Sequence, residues 1–138
     1  MENVSRFQQF LEAGSDQRAE IVESLYAEKM DFKDPMNEAL SREHFKRIDD
    51  DLYKQLKEIQ FMVEEAYGDE SCGMVKWVMT YRFRGKSREI QGVSHIKFDE
   101  SAQICFQRDY WDASFPVYGE FPLIGLAMRG IRKLLRVS

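Results

Sequence analysis

What this sequence lacks narrows its function first. Only two cysteines, Cys72 and Cys105, occur in 138 residues, and they stand far apart. Neither lies at metal-ligand spacing from a histidine or another cysteine, so no metal is expected. They read as reduced core thiols of a cytoplasmic protein, with a disulfide between them left open. No glycine-rich loop is present to cradle phosphate, so no nucleotide is expected, and no cofactor of another kind is proposed. No apolar run is long enough to span a bilayer, and the opening MENVSRFQQF lacks the apolar stretch of a signal peptide. There is no excess of cations. Twenty Lys and Arg stand against 24 Asp and Glu, a net charge of −4, which argues against a general nucleic-acid role. Internal repeats and low-complexity segments are also missing.

What is present suits a soluble globular protein: 43% hydrophobic and 32% charged residues. The length fits one domain over residues 1–138 with a real core. We divide it into a core, 1–112, and an extension, 113–138, that carries an amphipathic basic helix.

Val4, Phe7, Phe10 and Leu11 recur at helical spacing up to Gly14. A second helix is expected over about 17–26, capped by Ser15 or Asp16, with Ile21, Val22 and Leu25 on one face. Asp34 precedes Pro35, which disfavours the helical region, so Asp34 belongs to an extended or turn segment after that helix. A third helix follows Ser41, with Phe45, Ile48, Leu52 and Leu56 on one side. From Gln60 the period changes to two. Phe61, Val63, Glu65 and Tyr67 share one face of a first strand. Val75, Trp77, Met79, Tyr81 and Phe83 form one face of the next, with Lys76, Thr80 and Arg82 on the other. A turn at 85–87 leads into a hairpin. Its first strand places Ile90, Gly92, Ser94, Ile96 and Phe98 together, and Gln91, Val93, His95 and Lys97 opposite. After a polar turn at 99–102, the second strand ends in Arg108-Asp109-Tyr110-Trp111-Asp112. A carboxylate two positions from a Trp on one strand face suits the wall of a ligand pocket. Helices first, antiparallel strands next and a last helix make the fold class α+β.

Two stretches carry a resemblance. SLYAEKMDFKDP (24–35) resembles the segment leading to the catalytic aspartate of ketosteroid isomerases. KFDESAQICFQRDYWD (97–112) is similar to the last hairpin of SnoaL-like polyketide cyclases, ketosteroid isomerases and limonene epoxide hydrolases. All belong to the nuclear transport factor 2-like superfamily. The resemblance implies a cone-shaped, curved antiparallel sheet closed by the N-terminal helices around a pocket. It implies a general base at Asp34, a pocket carboxylate at Asp109 and a pocket aromatic at Trp111. It also marks departures. Phe7 stands near the isomerases' enolate-stabilising Tyr, and Ser94 where they carry a protonated Asp. Val75 and Trp77 stand where the hydrolases carry an Arg and a second Asp.

The candidate catalytic residues are therefore Asp109 and Asp34. Asp34 has a competing role as a turn carboxylate held by backbone N–H groups. Asp109 could instead sit in a structural ion pair. Trp77, Met79, Tyr81, Ser94, Gln107 and Trp111 are candidate ligand-binding residues, although an apolar strand face is also what a plain core looks like. His95 shares the outward parity, so it reads as a surface or interface residue. Two functions follow. The first is a SnoaL-like protein that binds a small apolar or amphipathic ligand and isomerises, cyclises or hydrates it by acid–base chemistry. The second is a non-catalytic interaction or accessory domain on the same fold. The expected partners are that ligand and a second copy in a homodimer, with no nucleic acid. In the extension, Arg129, Arg132, Lys133 and Arg136 repeat at i, i+3, i+4, i+7. That helix either packs its apolar side on the domain or meets an anionic surface.

Overall fold

Helical spacing of large apolar residues builds the first layer. The computed structural model describes residues 2–114 and 116–137. Helix α1 (Glu2–Glu12) buries Val4, Phe7, Phe10 and Leu11 along one side. Helix α2 (Ser15–Leu25) buries Arg18, Val22 and Leu25. Its N-cap is Gly14, with no side-chain cap, so neither Ser15 nor Asp16 has the capping role expected of it.

The chain then departs from the expected order. Strand β1 (Tyr26–Lys33) and strand β2 (Glu38–Ser41) come before the third helix, α3 (Arg42–Gln55). The Ser41 hydroxyl caps α3 by accepting the His44 N–H at 3.1 Å. Four long strands follow: β3 (Lys57–Gly68), β4 (Cys72–Phe83), β5 (Lys86–Phe98) and β6 (Ile104–Trp111). A short 3-10 turn, η1 (Tyr118–Glu120), leads to the last helix, α4 (Pro122–Leu135).

All six strands join one open sheet in the order β2-β1-β6-β5-β4-β3. The β1–β6 pair is parallel, so the sheet is mixed and not wholly antiparallel as expected. The fold class is α+β.

Strand parity decides what faces inward. In β5, Ile90, Gly92, Ser94, Ile96 and Phe98 are all buried, and their neighbours are not. In β4, Val75, Trp77, Met79 and Tyr81 are buried while Thr80 and Arg82 are exposed. Val78, on the outward face, is nevertheless 5% exposed. In β3 the register shifts between Val63 and Glu65. An added residue reverses side-chain parity, so Ala66 turns inward and Tyr67, expected beside Phe61, is 65% exposed. Strands β4 and β5 join through Arg84 and Gly85, with φ of 53° and 73°. Two positive φ values in a two-residue loop match the right-handed twist of the flanking strands.

The core lies between the inner sheet face and helices α1–α3. Its aromatic centre is Phe10, Tyr26, Phe32 and Phe45, with the Tyr26 and Phe45 rings 4.4 Å apart. Off-face ring packing of this kind adds to area burial. Helix α4 takes no part in that core. Among its described residues only Gly125 is buried, so its apolar side does not pack on the domain.

Candidate functional site

The inner face of the sheet does not fill completely. A cavity of about 890 Å³ opens between β4–β6, α3 and the segment before α4. Two of its walls come from strand parity. Trp77, Met79 and Tyr81 project from β4, and Gln107, Asp109 and Trp111 from β6. Asp34 reaches it from the β1–β2 turn. The sequence expectation thus gathers seven of its eight site residues at one cavity.

The eighth, Ser94, lies behind the wall. It is fully buried on β5, directly opposite Asp109 in register. Its hydroxyl accepts the Trp77 Nε1–H at 2.9 Å and donates to Asp109 Oδ1 at 2.6 Å. Both hydrogen-bonding roles are directed at protein groups. Gly92 makes this arrangement possible, because a Cβ there would stand 2.4 Å from the Trp77 ring.

A second arm reaches Asp109 from the other side. The Tyr26 hydroxyl donates to Gln107 Oε1 at 2.6 Å, and Gln107 Nε2 donates to Asp109 Oδ1 at 2.9 Å. Asp109 Oδ1 therefore accepts two hydrogen bonds from neutral donors. Oδ2 accepts none from the described residues. No buried side-chain oxygen or nitrogen there is left without a partner, so Oδ2 must open to the cavity.

The electrostatics follow from this placement. Protein atoms surround Asp109, and the cavity is its access to water. Loss of hydration pushes its carboxyl up to about 6 from 3.8. The Ser94 and Gln107 hydrogen bonds pull the other way by favouring the anion. The negative charges of Asp34 and Asp49 add to the upward shift. Burial also raises Asp34, against the Met36 and Asn37 N–H groups that its Oδ1 accepts at 2.7 and 2.6 Å. Asp34 is thus both a turn carboxylate and a cavity carboxylate. Burial pushes the Tyr26 phenol well up, and the charge of Asp109 pushes it further. Tyr81 is raised by burial too, and its hydroxyl has no protein partner among the described residues.

Three residues at or near the cavity escaped the sequence reading. Arg18 of α2 makes a two-pronged ion pair with Asp49 of α3, both contacts at 2.9 Å. It also donates to the Phe10 and Leu11 carbonyls and stacks over the Phe10 ring at 4.1 Å. Burial alone lowers its affinity for the proton, but the bond to and charge of Asp49 outweigh that and hold it above its ordinary value. The signal was present: Arg18, Val22 and Leu25 share one helical face. Tyr26, expected at the end of the second helix, opens strand β1 instead. His95 lies on the outer side, its ring 5.4 Å from Phe106. Among the described residues no cluster of His, Cys, Asp or Glu could hold a metal.

The architecture and this lining define a sheet-and-helix domain with a carboxylate on the wall of a cavity lined by both apolar and charged residues. A family profile described as a SnoaL-like domain matches residues 7–106, and the chain belongs to that family. The solved structures it resembles share the nuclear transport factor 2-like fold. One is a protein of that fold and unknown function from Burkholderia pseudomallei, 12% identical, with a TM-score of 0.74 over 85% of this chain and 95% of that one. A second is a hypothetical protein from Catenulispora acidiphila with a ketosteroid isomerase-like fold, in complex with trimethylamine. It is 14% identical, with a TM-score of 0.70 over 82% and 87% of the two chains. A third is an LEH-like epoxide hydrolase from M. tuberculosis, 11% identical, with a TM-score of 0.68 over 81% and 84%. At these identities the likeness establishes the fold. No curated protein matches the sequence significantly.

Proposed function

We propose that this protein binds a small apolar ligand carrying one or two oxygens and moves a proton on it, with Asp109 as the acid–base group. The observation that carries this reading is Asp109 itself. One carboxylate oxygen is held by Ser94 and Gln107, and the other is open to the cavity. A group titrating at about 6 is about nine-tenths ionised at pH 7, so it can take a proton and return it. Trp77, Met79 and Trp111 give the ligand an apolar bed. The unpartnered Tyr81 hydroxyl donates to the ligand oxygen on which charge develops. Ser94, expected to share that role, instead orients the base. Asp34 raises the proton affinity of Asp109 through its charge. Proton transfer of this kind serves isomerisation and cyclisation, and hydration when water enters as the second reactant.

The test is deuterium uptake by a cyclic ketone, 2-tetralone, followed by NMR in D2O. The expected result is exchange above buffer that Asp109→Asn lowers about 10²–10⁴-fold, the usual contribution of a positioned base. Exchange that Asp109→Asn leaves unchanged contradicts the role given to Asp109. A non-catalytic accessory domain predicts no exchange at all. We further propose a homodimer through the outer sheet face, where Val93 and Phe106 are half-buried and Tyr110 is 61% exposed among charged neighbours. Light scattering at micromolar concentration checks it, and monomer mass alone contradicts it.

A further inference from the structure

Helix α4 is unlike every other element of the chain. The three N-terminal helices each bury apolar residues, but α4 seats itself only at Gly125. There the backbone comes so close to the Gly119 carbonyl that a Cβ would stand 2.6 Å from its oxygen. Beyond that point the apolar side is uncovered. Leu123 and Leu134 are each 83% exposed, and Ile131 is 59% exposed. At 100° per residue these three share an arc with Ala127, Ile124 and Leu135 that covers about a third of the circumference. The four cations of α4 and its C-cap, at 129, 132, 133 and 136, fall together on the remaining face.

Charge separates this segment from the rest of the protein. Residues 122–138 hold those four cations and no acid. With −4 for the whole chain and +4 for this segment, the other 121 residues carry −8. The helix is roughly 21 Å long at 1.5 Å per residue, and among the described residues none of the helices is long and apolar enough to cross a membrane. A short helix with a wide apolar arc and a purely cationic polar face has one well-matched environment, the headgroup boundary of an anionic bilayer. We propose that α4 docks in the plane of an anionic membrane surface, its apolar arc immersed and its cations at the headgroups.

The geometry adds a consequence. The seat of α4 is η1, and the segment around η1 also lines the cavity, through Val117, Glu120 and Phe121. Gly125 lies on the side of α4 opposite the apolar arc, so docking holds that rim about one helix width from the lipid.

Flotation of the full chain with vesicles tests the proposal. Phosphatidylcholine vesicles are compared with vesicles containing roughly a quarter phosphatidylserine. The expected result is flotation with the anionic vesicles only, weakened by added salt. Exchanging Arg129→Gln and Lys133→Gln should weaken binding about fivefold per cation. The pair Ile131→Glu and Leu134→Glu should reduce it more than about tenfold. Both side chains are exposed, so the thermal melt of the pair should match the parent. Ketone exchange by the pair in vesicle-free solution should also match, which separates failure of docking from failure of the catalytic reading. Flotation equal on both vesicles, or no flotation, overturns the proposal. If the chain does not float and instead elutes as a dimer that the Glu pair dissociates, a second copy covers the face and the proposal fails.

Discussion

Replacing Asp109 by asparagine should stabilise the fold at neutral pH and do little in acid. The carboxyl moves from 3.8 in an ordinary setting to about 6 in the folded protein. The folded state therefore binds this proton more tightly than the unfolded chain does. Its stabilising contribution is fully present below the unfolded value and is lost as pH rises through the folded one. A gap of about two units corresponds to about 3 kcal/mol at neutral pH. Water reaching the cavity side of the carboxylate reduces that figure, so the expected gain is about 1–3 kcal/mol. Asparagine has the same shape, never ionises, and offers a carbonyl oxygen to the same two donors, Ser94 and Gln107. Urea denaturation of both proteins at pH 7.5 and again near pH 4 measures the effect. The account requires a gain at the higher pH that closes at the lower. A loss of about 3–5 kcal/mol at pH 7.5, the cost of removing one partner of a buried ion pair, refutes it. A difference that does not change with pH refutes it equally.

Other substitutions probe the surroundings. Arg18→Ala leaves Asp49 without its partner and takes a side-chain donor from the Phe10 and Leu11 carbonyls, of which Phe10 keeps the Ala13 N–H, so it should cost about 3–5 kcal/mol in urea. Arg18→Lys should recover only part of that, because an ammonium cannot reproduce the two-pronged contact. Gly92→Ala places a methyl against the Trp77 ring at 2.4 Å, and should cost about 1–3 kcal/mol with a shift in tryptophan fluorescence. An unchanged spectrum would mean the ring has room to move. Asp34→Asn removes a negative charge that raises Asp109, so the titration of Asp109 should move to lower pH. A move upward would contradict the like-charge coupling.

The hairpin and the Trp77 strand were legible because their alternation runs a full strand length, broken in the Trp77 strand at Val78. Period-two patterning also placed Asp109, Gln107 and Trp111 on one face before any coordinates. Strand β1 was not legible, and the reason is local. Its register shifts between Tyr26 and Asp31. Tyr26, Ala27 and Met30 are buried there while Glu28 and Lys29 are exposed, an i, i+1, i+4 pattern that reads as a helix. Tyr26 was lost with it, and so was the arm that reaches Asp109 through Gln107. Ser94 was placed on the correct face at the wrong depth. Parity gives the face, but the Trp77 indole that covers it is a tertiary contact. The buried Arg18–Asp49 pair joins two helices 31 residues apart, a pairing that no local pattern encodes. The uncovered apolar side of α4 is another case, since amphipathic spacing is the same whether or not a partner lies beneath.

The central claim is that Asp109 is a cavity carboxylate poised to exchange a proton near neutral pH. Carbon-13 NMR of the aspartate carboxyls, assigned by loss of one signal in Asp109→Asn, follows its titration directly. The account predicts a midpoint at about 6. A midpoint at or below about 4, the ordinary range of an aspartate, contradicts it.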